Sequence, residues 1–213
     1  MKKTALVLGA TGLVGSHILQ QLLEDDRYGK VIALVRRPLE ITNPKLQVAV
    51  IDFDHPDPSV VKGDELYCAL GTTLSKAGSK AAQYRIDGEY PMQFGKMARQ
   101  NGVKQYLLVS SIGADAGSGN FYLRTKGELE QNIQSLNFDN FVTARPSFLL
   151  GNRAEFRLGE RIGIFFAQVF RPLFPAKYQG IDAKQVASAL ILSANQGLTG
   201  MQVLEGKNLL KVV

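Results

Sequence analysis

Cysteine, histidine and tryptophan are scarce in this sequence. Its 213 residues include one cysteine, two histidines and no tryptophan. A single cysteine cannot form a disulfide within the chain, which argues against an oxidising compartment and predicts a cytoplasmic protein. Cys68 lies in an apolar segment without a basic neighbour, so we expect it to be buried rather than catalytic. The cysteine and the histidines lack the spacing of metal ligands, and we predict no metal site.

Long apolar runs and long basic runs are also lacking. No stretch of about 18 apolar residues occurs, and the richest segment, 162–174, is interrupted by Gly163, Arg171 and Pro172. The first apolar run ends at residue 8, which is too short for a secretory signal. The formal net charge is +6, but the basic residues are scattered. These features predict no membrane span and no nucleic-acid partner.

What the sequence does contain is an alternation of short apolar runs with helical periods. Strands are predicted at residues 4–8, 31–35, 46–51, 65–70, 105–109, 140–144 and 202–205. Helices are predicted at residues 13–23, 80–101, 121–136, 157–170 and 183–195. Pro91 should kink or divide the second helix. Apolar strands alternating with helices predict an α/β fold with a doubly wound parallel sheet, in one domain. Its residues 147–200 would form a small helical region on the substrate side.

Three glycines follow the first predicted strand and open the first predicted helix. Gly9, Gly12 and Gly15 have the spacing G-x-x-G-x-x-G. Glycines there permit a tight turn, a close approach of backbone to a pyrophosphate, and close packing of helix on strand. The helix start presents free amide groups to the phosphates, and Thr11 adds a hydroxyl. The motif predicts a dinucleotide site, with a glycine-rich turn that binds nothing as the alternative.

The ends of the next strands bear on the choice of dinucleotide. A carboxylate after the second strand would bind the ribose hydroxyls of NAD(H), but Arg36 and Arg37 stand there. Guanidinium groups suit the 2′-phosphate of NADP(H), so we predict NADP(H) in preference to NAD(H). The alternative is a pair of solvated arginines. Asp52, after the third strand, is a candidate partner of the adenine amino group or a turn residue. Gly71 would let backbone pass close to the cofactor.

A tyrosine and a lysine form the motif Y-x-x-x-K on the helix that is predicted after the fifth strand. Tyr122 and Lys126 are four residues apart, which places them on one face of a helix. An ammonium group beside a phenol favours loss of the phenol proton, so Tyr122 could exchange a proton with a substrate oxygen. Ser110 or Ser111, after the fifth strand, could hydrogen-bond the same oxygen. The alternative is a packed tyrosine and a solvated lysine.

Several motifs in combination make the chain resemble the atypical and extended short-chain dehydrogenase/reductase superfamily, also called epimerase/dehydratase-like. More narrowly, it resembles the Tat-interacting, oxidoreductase-like tumour suppressor family and its bacterial relatives. The matching segments are Cys68-Ala69-Leu70-Gly71-Thr72-Thr73, Lys76-Ala77-Gly78, Ser110-Ser111-Ile112-Gly113-Ala114-Asp115, Tyr122-Leu123-Arg124-Thr125-Lys126-Gly127-Glu128 and Arg145-Pro146. The resemblance covers nearly the whole chain. It implies an NAD(P)-binding Rossmann fold.

The resemblance also implies roles for individual residues. Tyr122 would be the proton donor or acceptor, with Lys126 as its electrostatic partner and Ser110 or Ser111 near the substrate. The implied cofactor-binding residues, with those expected from the strand ends, are Gly9, Thr11, Gly12, Leu13, Val14, Gly15, Arg36, Arg37, Asp52, Ala69, Leu70, Gly71, Tyr122, Lys126, Pro146, Leu149 and Arg157.

One departure from the superfamily concerns the helix after the fourth strand. Many members carry an asparagine there that supports a proton relay, and we align Arg85 with it. Two functions therefore stay open. The first is an NADP(H)-dependent oxidoreductase acting on a small carbonyl or alcohol substrate. The alternative is a non-catalytic, NADP(H)-responsive regulatory protein that binds a protein partner. The sequence does not indicate an oligomeric state.

Overall fold

The computed structural model describes residues 1–150, 180–206 and 208–209. The strands of this part of the chain are β1 (Lys3–Leu8), β2 (Tyr28–Val35), β3 (Leu46–Val50), β4 (Glu65–Cys68), β5 (Gln105–Val109), β6 (Asn140–Arg145), β7 (Leu149–Leu150), β8 (Ile181–Asp182) and β9 (Gly200–Glu205). The α-helices are α1 (Leu13–Glu24), α2 (Leu74–Ala77), α3 (Lys80–Tyr84), α4 (Tyr90–Gln100), α5 (Phe121–Gln134) and α6 (Ala183–Ala194).

Seven of these strands form one parallel sheet. Their order is β3-β2-β1-β4-β5-β6-β9, and β7 pairs with β8 in a separate two-stranded sheet. The chain runs outward from β1 to β3 and then returns to place β4 on the other side of β1. Such a switch point leaves a crevice at the carboxyl ends of the two central strands, where ligands bind in this class of sheet. The predicted doubly wound parallel sheet is confirmed.

The core lies on both faces of the sheet. Successive residues of β1 point to opposite sides, so Ala5 and Val7 pack in one apolar cluster while Leu6 and Leu8 pack in the other. Helices α1 and α6 cover the first face, and α4 and α5 cover the second. Because both faces are covered, the strands are apolar along their length, as the sequence pattern indicated.

Helix α6 is fastened to α1 by hydrogen bonds as well as by apolar packing. The side-chain amide of Gln21 on α1 donates to the carbonyl oxygen of Lys184 at 3.1 Å. Ser188 donates its hydroxyl to the side-chain oxygen of Gln21 at 2.9 Å. The start of α6 is therefore held against the helix that follows the glycine turn.

The helix predicted over residues 80–101 is divided, as Pro91 led us to expect. Helix α3 ends at Tyr84, a π-turn covers Arg85–Glu89, and α4 begins one residue before Pro91. Proline has no N–H to donate to the preceding turn, so it fits at a helix start but interrupts a continuous helix. A π-turn changes the direction of successive side chains. Asp87 is completely buried, whereas Arg85 is exposed.

Other segments differ from the predictions in smaller ways. Strand β4 ends at Cys68 rather than residue 70, because Ala69 turns over the end of β1, where its N–H donates to Leu8. Helix α2 and the β7–β8 pair were not predicted. Cys68 is buried, as expected. The predicted helix 157–170 lies outside the described residues. Within the described part of the chain, no helix has the length and apolar character needed to cross a membrane.

Candidate functional site

The glycine turn begins where β1 meets β4. Gly9 has φ +88°, a left-handed conformation that favours glycine, and a Cβ there would lie 2.7 Å from the carbonyl carbon of Ala69. The Gly9 carbonyl oxygen accepts the N–H of Gly12 at 3.0 Å, which closes the turn. Only glycine allows the ends of the two central strands to approach this closely.

Gly15 brings α1 down onto the same turn. A Cβ at Gly15 would lie 2.7 Å from the carbonyl carbon of Gly9 and closer still to its oxygen. Gly12 is the N-cap of α1 and offers no side chain to the first amide groups of the helix. These groups have no partner within a helix, and they form its positive end. Gly9 and Gly15 are thus packed beneath the site, and Gly12 stands at its surface.

A cleft of about 1310 Å³ opens over this helix start. Its walls bring together many of the residues predicted from the sequence. These are Thr11, Gly12, Leu13, Val14, Ala69, Leu70, Gly71, Ser110, Tyr122, Lys126 and Leu149. Further lining residues that the sequence did not single out include Gln83, Lys80, Phe121, Asp182 and Lys184. The cleft is large enough for a dinucleotide and lies at the switch point of the sheet.

Lys126 is buried in the wall of this cleft, with 2% of its surface exposed. Its ammonium group donates to the carbonyl oxygen of Leu70 at 3.4 Å. The carboxylate of Asp87 approaches from the π-turn, and a Cβ on Gly71 would lie 3.8 Å from Asp87 Oδ1 and 3.9 Å from Lys126 Nζ. Gly71 therefore leaves room between a buried carboxylate and a buried ammonium group.

Asp87 is fixed by two further hydrogen bonds. It accepts the N–H of Thr72 at 2.7 Å and the side-chain amide of Gln83 at 3.4 Å. Burial raises the pKa of Asp87, while the positive charge of Lys126 acts in the opposite direction. Asp87 thus links the segment after β4 to the helix that carries Lys126.

Arg85, which we aligned from the sequence with the superfamily asparagine, is not among the described residues that line the cleft. Arg85 points away from the cleft and forms an ion pair with Asp54 at 2.9 Å. Asp87 is the residue of this turn that faces Lys126, since residues two apart in a helical segment point to opposite sides. The spacing of Gln83 and Asp87, four residues apart, is the sequence signal that could have identified a polar pair on the inner face.

The two serines after β5 differ in their surroundings. Ser110 is 5% exposed, lines the cleft and donates its hydroxyl to Glu130. Ser111 is not among the described residues that line the cleft, and its hydroxyl donates to the carbonyl oxygen of Ile112 at 3.3 Å. Of the two serines, the structure brings Ser110 together with Tyr122 and Lys126. Glu130 was not among the site residues predicted from the sequence.

The residues predicted for the adenosine end lie outside the described lining of the cleft. Arg36 and Arg37 are exposed after β2, and the Arg36 guanidinium carbon lies 5.9 Å from the ring centre of Phe53. Asp52 is exposed after β3 and accepts the N–H of Asp54 at 2.9 Å, a bond that lowers the pKa of Asp52. These side chains occupy the carboxyl ends of neighbouring strands β2 and β3.

Two remaining predictions concern the far side of the site. Pro146 is buried outside the cleft lining, and its carbonyl oxygen accepts the N–H of Ile112 at 2.9 Å. It therefore positions the loop after β5 rather than facing the cleft. Arg157 lies outside the described residues.

A glycine turn that presents helix amides at the switch point of a parallel sheet fits a dinucleotide pyrophosphate. Fold and site together define the class as an NAD(P)-binding Rossmann protein. The family model described as NAD(P)H-binding matches residues 9–161. The chain belongs to this NAD(P)H-binding family.

Two relatives by sequence match almost the full chain. The chain is 33% identical to the protein FMP52, mitochondrial, of Eremothecium gossypii, over 98% of this chain and 96% of that protein. It is 32% identical to the protein HTATIP2 of Rattus norvegicus, over 98% of this chain and 88% of that protein. These proteins match the narrower resemblance drawn from the motifs.

Solved structures with the same fold are more distant in sequence. MoeE5 in complex with UDP-glucuronic acid and NAD has a TM-score of 0.74 and 19% identity, over 94% of this chain and 75% of that one. UDP-glucose 4-epimerase of Thermotoga maritima, with UDP-glucose, has a TM-score of 0.71 and 16% identity, over 95% of this chain and 76% of that one. At this identity the similarity shows a shared fold.

The predicted cytoplasmic location is contradicted by the relatives. The FMP52 proteins of Eremothecium gossypii, Candida glabrata, Emericella nidulans and Saccharomyces cerevisiae are all named mitochondrial. A single cysteine argues against oxidising compartments. It did not distinguish the cytosol from a mitochondrion, which is why the prediction was wrong.

Proposed function

We propose that this protein is an NADP(H)-dependent oxidoreductase that acts on a small carbonyl compound or the corresponding alcohol. One observation carries the proposal. Tyr122 and Lys126 line the same cleft as the helix start that follows the glycine turn. A group able to exchange a proton therefore stands beside the groups that suit a dinucleotide pyrophosphate.

The roles of the two side chains follow from their positions. The bound nicotinamide would supply or accept a hydride at the substrate carbon. Tyr122 would give a proton to the substrate oxygen during reduction and take it back during oxidation. Lys126, whose ammonium group donates to the Leu70 carbonyl oxygen, would place a positive charge near the phenol oxygen when the proton leaves. Asp87, facing Lys126, would keep the ammonium group oriented.

Replacing the tyrosine tests the enzyme class. Tyr122→Phe keeps the ring and removes the proton, so turnover should fall about 10²- to 10⁴-fold, while NADPH affinity changes little. The assay follows nicotinamide absorbance with a panel of small aldehydes, ketones and quinones. Tyr90→Phe is a matched control, because Tyr90 lies outside the described lining of the cleft and bonds to Asp54. NADPH binding without turnover of any compound would favour the non-catalytic, regulatory alternative.

The preference for NADP(H) is part of the proposal. Arg36 and Arg37 follow β2, where NAD(H)-specific sites place a carboxylate, and Arg36 is seated over the Phe53 ring. Asp52 would contribute to the adenine end. Changing Arg36→Asp together with Arg37→Ala should weaken NADPH about five-fold or more, from the loss of charge-assisted hydrogen bonds.

Calorimetry with both cofactors provides the comparison. NADH affinity should change much less than NADPH affinity in the double variant. Arg27→Ala is the control, because Arg27 is exposed at the opposite end of the same strand and pairs with Asp25 at 2.5 Å. Equal losses of NADPH and NADH would contradict a phosphate site at the two arginines.

The C-terminal part of the chain is proposed to complete the substrate side of one domain. Leu149, Asp182 and Lys184 line the cleft, and β7 pairs with β8 at Leu149 and Ile181. The pairing joins the two ends of the segment between residues 150 and 181 next to the cleft. A substrate region confined to residues 147–200 favours a small substrate over a nucleotide sugar.

A further inference from the structure

A buried polar cluster lies directly behind the cleft. Glu130 is on α5, 3% exposed, and faces Arg145 at the end of β6. Arg145 donates through Nε to Glu130 Oε1 at 3.1 Å and through Nη2 to Glu130 Oε2 at 2.6 Å. Ser110, at the end of β5, donates its hydroxyl to Glu130 Oε1. The cluster joins two strand ends to the helix that carries Tyr122 and Lys126.

The direction of the serine hydrogen bond is fixed by this arrangement. Both oxygens of Glu130 accept hydrogen bonds from the guanidinium of Arg145, which offers only donors. A carboxylate accepts hydrogen bonds and cannot donate them. The hydroxyl hydrogen of Ser110 must therefore point at Glu130, away from the cleft. What Ser110 has left for a ligand is the lone pairs of its oxygen.

The helix face that carries Glu130 presents hydrogen-bond donors to the cleft, whereas Ser110 presents an acceptor. Tyr122, Lys126 and Glu130 are spaced by four residues on α5, so they lie in a row. Tyr122 and Lys126 line the cleft and bring hydrogen-bond donors. Ser110 lines it as well, beside the row, and brings an acceptor. A ligand that contacts both needs a group that accepts a hydrogen bond and a group that donates one, which a hydroxyl can do.

We propose that Ser110 is the hydrogen-bond acceptor of the substrate site, that Glu130 is the positioning residue that keeps it so, and that the site takes ligands carrying a hydroxyl group. This inference rests on the proposed function for the identity of the site, and it narrows the substrate class. A substrate carbonyl would bond to Tyr122, while a hydroxyl of the substrate donates to Ser110.

Replacing the carboxylate of Glu130 by an amide should reverse the direction of its hydrogen bond with Ser110. In Glu130→Gln, the amide oxygen faces the donors of Arg145, and the amide nitrogen donates to Ser110. The serine hydrogen is then released toward the cleft, and Ser110 becomes a donor. Ser110→Ala removes both possibilities. Glu128→Gln is the control, because Glu128 is on the same helix but is partly exposed beside Arg124 at 3.9 Å.

The test uses two unreactive ligands of similar size with the NADPH-bound protein. 1-Methylcyclohexanol donates a hydrogen bond and cannot be oxidised, whereas N-methyl-2-piperidone only accepts. Fluorescence of the bound NADPH reports their binding. Ser110→Ala should weaken the alcohol about five-fold and leave the lactam unchanged. Glu130→Gln should weaken the alcohol to a similar extent and strengthen the lactam, and Glu128→Gln should change neither.

Opposite changes for the two ligands are the signature, because a general loss of structure would weaken both. Parallel changes in Glu130→Gln overturn the inference, as does the absence of a response of the wild-type protein to either ligand. If Glu130→Gln does not fold, Ser110→Ala is the variant that tests the inference. Equal effects of Ser110→Ala on the binding of both ligands would refute the acceptor role of Ser110. Turnover is measured separately: a protein that shows the expected ligand pattern but reduces no carbonyl refutes the proposed reaction and leaves the polarity of Ser110 standing.

Discussion

Gly12 and Gly15 lie one helical turn apart, yet adding one methyl group to each should damage different properties. A Cβ at Gly15 would lie 2.7 Å from the carbonyl carbon of Gly9, about 0.7 Å inside the shortest ordinary contact of 3.4 Å. The atoms in the way are backbone of the turn, so no side chain can move aside. Gly15→Ala should therefore force α1 away from β1.

The expected magnitudes differ accordingly. Overpacking costs about 1–3 kcal/mol, and rigid backbone places Gly15→Ala near 3 kcal/mol, a fall in Tm of roughly 6–12 °C for a chain of this size. At Gly12 the nearest atom to a Cβ is the Gly9 oxygen at 3.3 Å. Alanine is a poorer N-cap than glycine by roughly 0.5–1 kcal/mol, which the lower entropy of the unfolded chain offsets. Gly12→Ala should therefore shift Tm by less than about 2 °C.

Cofactor binding should be reduced by the substitution at Gly12, which has little effect on stability. The methyl of Gly12→Ala occupies the surface where backbone approaches the pyrophosphate, so NADPH affinity should fall about ten-fold or more in a fully folded protein. Thermal unfolding by circular dichroism and calorimetric titration with NADPH measure the two effects. Gly119→Ala is the control, because a Cβ there meets nothing within 4 Å. Unchanged NADPH affinity in Gly12→Ala would refute the placement of the pyrophosphate at this turn.

Two further predictions concern buried carboxylates. Burial raises the pKa of Asp87, so its charged form costs stability above that pKa and the cost disappears as pH falls. Asp87→Asn should raise Tm near neutral pH and lower turnover, with the stability gain shrinking on acidification; a constant gain at all pH values would contradict this. Glu65, fully buried, accepts from Lys3 at 2.6 Å and from Tyr28 and Tyr67 at 2.8 Å. Glu65→Gln should lower the free energy of unfolding, measured in urea, by about 2–3 kcal/mol, whereas Glu24→Gln, at an exposed position, should change it little.

The sheet and the glycine turn could be predicted because their signals are local. Apolar runs mark the strands, and Gly9 and Gly15 are required because a Cβ at either position would collide with backbone, while Gly12 stands at the surface of the site. The order of the strands could be predicted only as that of a doubly wound sheet, because strand pairing joins residues that are far apart in sequence. The pairing of β6 with β9 is an example, and no local pattern fixes it.

The candidate site was only partly predictable, because two of its features arise from packing. Arg85 and Asp87 are both charged and lie on opposite sides of the same turn, and the packing of this turn on α5 places Asp87 next to Lys126. The spacing of Gln83 and Asp87 indicates a polar pair on one face, but it does not indicate that Lys126 lies opposite that face. Glu130 belongs to no motif that could be recognised in the sequence, and its partner Arg145 is brought to it by the sheet. Such charge pairs depend on tertiary structure.

Because α6 is hydrogen-bonded to and packed on α1, the part of the chain that contains the glycine turn is not expected to fold independently of α6. A fragment that stops at Leu150 would contain the whole glycine turn, but α1 would lose the apolar cover of Val186 and Leu190 and the bonds of Gln21 to α6. Exposing that surface to water would favour unfolding of the helix whose start forms the turn. Circular permutants or fusions would therefore have to preserve this late helix to remain competent for NAD(P)H.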